Sequence, residues 1–146
     1  MSAAASSSTE LTIRWSAGDA AAGPVPKPQE GSAASNVFTV VTRRQVAGVA
    51  PHERNPQLSP DQIVVVAVGA SGEELGWQLV KDPRIVRAES PGPDGVLTGQ
   101  TLYQPLTEFT VIVPNDVAAS MLSIYKPRWN GTAFLLAPIG SVGVAP

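Results

Sequence analysis

The chain contains no cysteine. That removes disulfides, thiolate metal sites and cysteine nucleophiles together, and leaves the compartment open. It has a single histidine, His52. Zinc sites built from several imidazoles are therefore excluded, and any Ser-His-acid triad has to pass through that one residue. Charge is scarce: Asp, Glu, Lys and Arg make up 15% of the 146 residues, against about 25% in an average soluble domain. The formal net charge is −2, so no basic excess is present to neutralise phosphates and nucleic acid is not an expected partner. No run approaches the roughly 18 apolar residues of a membrane-spanning helix. The first residues lack the basic and apolar regions of a signal peptide. Aromatic residues are only 5%.

What is abundant is proline, 14 residues, and glycine, 13. That much proline excludes long helices and suits a loop-rich β protein. Met1–Thr9, rich in Ala and Ser, reads as a disordered N-terminal segment, with one domain over residues 10–146. Glu10–Trp15 alternates, Leu11, Ile13 and Trp15 against Thr12 and Arg14, as a half-buried strand does. Residues 16–35, around Pro24-Val-Pro-Lys-Pro28, and residues 47–60 read as loops. Asn36–Arg44 is apolar on both sides, as expected of an inner strand. Ile63–Val68 is apolar throughout and suits a central strand buried on both faces. Leu75–Val80 alternates, with Trp77 and Leu79 assigned to the core. Asp82-Pro83 turns the chain, and Arg84–Glu89 follows with Val86 and Ala88 inward. Pro91–Gly95 is a turn signal. Further strands are expected at Val96–Tyr103, Glu108–Val113, Met121–Lys126 and Thr132–Leu136, with Ile139–Ala145 as a further pairing segment. One helical turn fits Pro114–Ser120, capped by Asn115. Eight or nine short strands with regular turns predict an all-β fold, a two-sheet antiparallel sandwich with jelly-roll topology as a variant. Gly69, Gly72 and Gly76 do not have the spacing of a dinucleotide or phosphate loop, which disfavours an α/β reading.

No catalytic motif stands out. Gly69-Ala-Ser-Gly72 is not a nucleophile elbow, so Ser71 and His52 read as loop residues. The carboxylates Glu73, Glu74, Asp82, Glu89 and Glu108 show no spacing that marks an acid/base pair. Asp94-Gly95 and Asn115-Asp116 offer oxygens for calcium, but turn chemistry accounts for both. No metal and no cofactor is called for. Arg84 and Arg87, flanked by Asp82 and Glu89, read as members of surface or inter-loop ion pairs. Asn130-Gly-Thr132 matches a glycosylation sequon.

The function expected from these features is a non-catalytic module for protein–protein interaction or assembly, with a protein partner or self-association. Low charge and a doubly apolar strand fit a surface that others cover. The alternative from a different class is carbohydrate binding, in which sugar C–H faces stack on exposed aromatics. For that reading the ligand-binding residues are Trp129, Tyr125, Asn130 and Arg128. A hydrolase of unknown type ranks third.

Overall fold

Strand residues dominate because the sequence alternates at period two between turn signals, and each strand can bury one face only against another sheet. The computed structural model describes residues 7–17, 36–48, 57–115 and 119–144. Among them nine strands form and no helix does: β1 (Ser7–Ala17), β2 (Asn36–Ala47), β3 (Gln62–Gly69), β4 (Glu74–Lys81), β5 (Ile85–Pro91), β6 (Leu97–Tyr103), β7 (Leu106–Pro114), β8 (Ala119–Trp129) and β9 (Phe134–Gly143). A three-stranded sheet runs β2-β1-β7, a four-stranded sheet β4-β3-β8-β9, and β5-β6 form a separate two-stranded arm. Every pairing is antiparallel. The all-β fold and the two antiparallel sheets agree with the sequence reading.

The two larger sheets face each other across one apolar core. Leu11, Ile13 and Trp15 from β1, with Phe109 and Val111 from β7, meet Ile63 and Val65 from β3 and Leu122 and Ile124 from β8. Trp15 and Phe38 stack at 5.2 Å, and Phe38 meets Phe109 edge to face at 6.3 Å. Trp15 Nε1 donates to Asn36 Oδ1 at 3.0 Å, which satisfies its one polar atom. Phe38 fits because Gly140 of β9 has no side chain: a Cβ there would lie 2.5 Å from the ring.

The sandwich closes at its sides through side chains. Gln78 of β4 donates to the carbonyl of Ile112 on β7, and its Oε1 accepts the Ile112 N–H at 3.1 Å. One amide thus satisfies both backbone groups of an edge residue, where a further strand would otherwise pair. On the other side Arg43 of β2 donates to the carbonyl of Val144, just past β9.

Several strand assignments need correction. β1 starts at Ser7, three residues before the alternation becomes clear. β2 is an edge strand, not an inner one. It has a register shift opposite Thr12/Ile13, and Val37 is exposed. Trp77 and Leu79 pair with Val66 and Val64, on the face away from the core, while Gln78 and Val80 point inward. The segment around Val86 belongs to the arm, not to the sandwich. The two final segments form one strand through Pro138, with a register shift that leaves Ile139 as the extra residue opposite Ile124 and Tyr125 of β8. The residues around Pro24 and His52, and Asp116, lie outside the described residues.

Candidate interaction surface

The outer faces of the two sheets differ in chemistry. On β2-β1-β7 the outward residues are largely polar, with Val37, Leu106 and Ile112 the apolar ones at its margins. Arg14 pairs with Glu108 at 3.1 Å and Arg44 with Glu10 at 3.0 Å, both near solvent, with Thr12 and Thr42 between them. This is an ordinary solvated face.

On β4-β3-β8-β9 the outward face is mostly apolar, broken by Ser123 and Ser141, which face each other across β8 and β9. Register places Leu79 and Trp77 beside Val64 and Val66, then Tyr125 and Met121 of β8, then Pro138 and Leu136 of β9. Glu74 and Lys81 share this face only at the two ends of β4. Val64 and Val66 are 0% and 1% exposed, while Trp77, Leu79 and Tyr125 beside them are half-buried. This is why Ile63–Val68 carries no polar residue: both sides of β3 are withdrawn from water.

The face ends at the β8–β9 turn. Asn130 Oδ1 accepts from the N–H groups of Thr132 and Ala133, both at 2.9 Å, and Gly131 takes φ +98. Asn130 N–H donates to the Ala133 carbonyl at 3.1 Å. The turn therefore fixes the last pair of the ladder, Trp129 opposite Phe134, whose rings meet edge to face at 5.1 Å. Trp129 is 60% exposed, and Leu135, which pairs with Arg128 on the other phase, is 58% exposed. A large aromatic ring is thus held in water on a rigid support.

Of the four residues assigned to sugar binding, Tyr125 and Trp129 lie on this face, four positions apart along β8. Asn130 commits its amide oxygen to the turn. Arg128 falls between Pro127 and Trp129, on the opposite phase of the strand.

The Asp82 and Arg84 charges, for which the sequence offers surface or inter-loop ion pairs, form a buried polar cluster with Lys126. Asp82 and Arg84 are 3% and 5% exposed. Asp82 Oδ2 accepts from Lys126 Nζ at 2.6 Å, and Lys126 also donates to the Pro60 carbonyl at 2.6 Å. Asp82 Oδ1 accepts the Arg84 N–H at 2.9 Å. The Arg84 guanidinium donates to the Gln104 carbonyl at 2.8 Å and lies 5.2 Å from the Trp15 ring centre and 5.9 Å from that of Tyr103. Burial pulls the Arg84 pKa below its ordinary value, opposed by Asp82 and Tyr103. Thr107 Oγ1 donates to the Pro83 carbonyl at 3.2 Å. The cluster thus clamps both ends of the β5–β6 arm to the sandwich. Only Arg87 behaves as expected, pairing at the surface with Asp61 at 3.7 Å. A sequence signal for the cluster existed: Lys126 continues the inward phase of Leu122 and Ile124, and an ammonium there needs a buried partner.

At the opposite end of the core a half-open cleft of about 270 Å³ lies between Leu11, Val113, Ala119 and Val144, rimmed by Thr9, Gln45, Asn115 and Arg43. Its rim amides bond to one another: Asn115 Nδ2 donates to Gln45 Oε1 at 2.7 Å and to Ser7 Oγ at 2.8 Å, and Gln45 Nε2 donates to Thr9 Oγ1 at 3.0 Å. Thr9 Oγ1 in turn donates to Asn115 Oδ1 at 2.6 Å. The network knits the strand ends together.

Among the described residues no three His, Cys, Asp or Glu side chains converge on a metal position. Asp94 Oδ1 accepts the Val96 N–H at 3.1 Å, and Ser71 N–H donates to Glu73 Oε2 at 3.1 Å, so both residues serve their turns. Among the described residues no helix is long and apolar enough to cross a membrane. No protein-family model, curated protein or solved structure matches the chain.

Proposed function

We propose that this chain is a non-catalytic β-sandwich module for protein assembly, docking on other protein surfaces, copies of itself included, through the outward face of β4-β3-β8-β9 and the β8–β9 turn. The observation that carries the reading is Trp129. It is 60% exposed, yet held against Phe134 by a hydrogen-bonded turn at the end of a mostly apolar sheet face. Exposed Trp on a rigid base is the usual anchor of a protein contact, because its area is large and few rotamers are lost on binding. The sheet behind it adds the half-buried Trp77, Leu79 and Tyr125, with Ser123 and Ser141 among them and charge only at its margin, so a second protein can cover it without desolvating ions.

The test is sedimentation velocity over about two decades of concentration, comparing the native chain with Trp129→Ser and Tyr125→Ser. Association weakened in both variants supports the reading. Association unchanged in both, or a monomer at every concentration, overturns it.

Tyr125 and Trp129 on one face also favour a second reading, stacking of a carbohydrate ring on this surface. Titration with a panel of oligosaccharides distinguishes the two. A saturable change in Trp129 emission supports the sugar reading, and an unchanged spectrum across the panel removes it.

A further inference from the structure

We infer that β6 is an assembly edge: it pairs antiparallel with β6 of a second copy about a twofold axis, extending two arms into one four-stranded sheet. This contact is separate from the Trp129 surface and does not depend on it.

The arm itself is the first ground. Among the described residues β5 and β6 pair only with each other, and neither lies along another strand. An isolated two-stranded ribbon is marginal in water and gains stability from a third strand. This one is nevertheless anchored at its base by Arg84 and Asp82, so it is presented at a fixed place on the sandwich.

The second ground is how strand edges are guarded. Natural sheets protect open edges with charge, proline or a covering group. β2 carries Arg43 and Arg44, β4 carries Glu74 and Lys81, and β5 carries Arg87, Glu89 and Pro91. β7 is plugged by Gln78 and ends in Pro114, and β9 contains Pro138 and packs near β2. β6, Leu-Thr-Gly-Gln-Thr-Leu-Tyr, has neither charge nor proline.

The third ground is phase. Gly92 N–H donates to the Val96 carbonyl and Gln104 N–H to the Arg84 carbonyl, both at 2.8 Å, at the two ends of the ladder. Bonded and non-bonded pairs alternate between those ends. With the register Ile85↔Tyr103 to Pro91↔Leu97, the backbone groups of Leu97, Gly99, Thr101 and Tyr103 must point away from β5. These four positions are symmetric about Gln100. A twofold axis at Gln100 sets Leu97 opposite the partner's Tyr103 and Gly99 opposite the partner's Thr101, so every outward group meets an outward group. The contact uses about eight hydrogen bonds, two per facing pair, and opposes no like charges. A twofold contact of this kind needs only a second copy of the same strand.

The chain has no cysteine, so a single Gln100→Cys substitution is a clean probe. Across the axis the two Cα atoms would be roughly 4.5 Å apart, as in a non-hydrogen-bonded pair and within disulfide range. Mild oxidation is expected to give a covalent dimer with Q100C and not with Glu89→Cys, on the opposite strand. Thr101→Pro removes an outward N–H without removing a bond within the arm, and is expected to raise the dimer dissociation constant roughly tenfold or more. No more covalent dimer from Q100C than from E89C overturns the inference, as does unchanged association in T101P with native circular dichroism. Should T101P disturb the arm, the cysteine pair decides. Trp129→Ser combined with Q100C separates the two contacts: the cross-link is expected to survive a change that removes the other surface.

Discussion

Replacing Lys126 by Met is the sharpest single test of the clamp at the base of the arm. The substitution keeps the volume of the stem but removes the ammonium that sits 2.6 Å from Asp82 Oδ2 and 2.6 Å from the Pro60 carbonyl. Asp82, 3% exposed, is then left as a buried carboxylate without its ion-pair partner. Removing one member of a buried pair costs on the order of 3–5 kcal/mol. The lower end applies, because the Lys126 side chain is 18% exposed and the Arg84 cation remains near Asp82. A loss of about 3 kcal/mol corresponds to a drop in midpoint of roughly 10 °C for a domain of this size. Asp82→Asn is expected to cost less, about 1 kcal/mol, because Asn keeps the acceptor for the Arg84 N–H and leaves no buried anion. The double variant should then be more stable than the sum of the two losses implies, since Met no longer faces a carboxylate. Urea and thermal unfolding of the four proteins measure this cycle. Lys126→Met within about 0.5 kcal/mol of the native chain, or an Asp82→Asn loss as large as that of Lys126→Met, refutes the reasoning.

Further perturbations probe other parts of the frame. Gln78→Leu leaves the N–H and carbonyl of Ile112 without their shared partner and should lower stability by about 1–3 kcal/mol, measured by urea titration. Gly140→Ala drives a methyl into the Phe38 ring, and the overpacking should cost about 1–3 kcal/mol in the same assay. Arg84→Lys retains the charge but loses the planar group set between Trp15 and Tyr103. Limited proteolysis should cut first within residues 85–103 while the sandwich stays intact.

The fold class was legible because strand periodicity is local. Leu11, Ile13 and Trp15 alternate against Thr12 and Arg14, and the sheet they join is largely polar on its other side. Alternation identifies two faces but not which one is the core. In β4 both choices were apolar enough, and Trp77 drew the assignment away from Gln78, whose inward amide is needed at the edge of β7. β2 looked like an inner strand because Val37 and Val41 are apolar, yet an edge position leaves Val37 in water. The Asp82 cluster was hidden by distance: Lys126 is 44 residues away, and a charge read from its neighbours alone defaults to solvent. Trp129 was expected to be exposed because Pro127–Gly131 reads as a turn; it is 60% exposed, although it ends strand β8. The mostly apolar sheet face behind it became visible only once register set Val64 beside Leu79 and Tyr125.

The contact assigned to Trp129 is tested most directly by ¹⁹F NMR of the chain labelled with 5-fluorotryptophan, which reports its three tryptophans separately. As concentration rises, the Trp129 resonance should move and lose its sensitivity to D₂O, while that of buried Trp15 stays in place. A Trp129 resonance that keeps its position and full solvent sensitivity, while sedimentation shows the chains associating, would contradict the account.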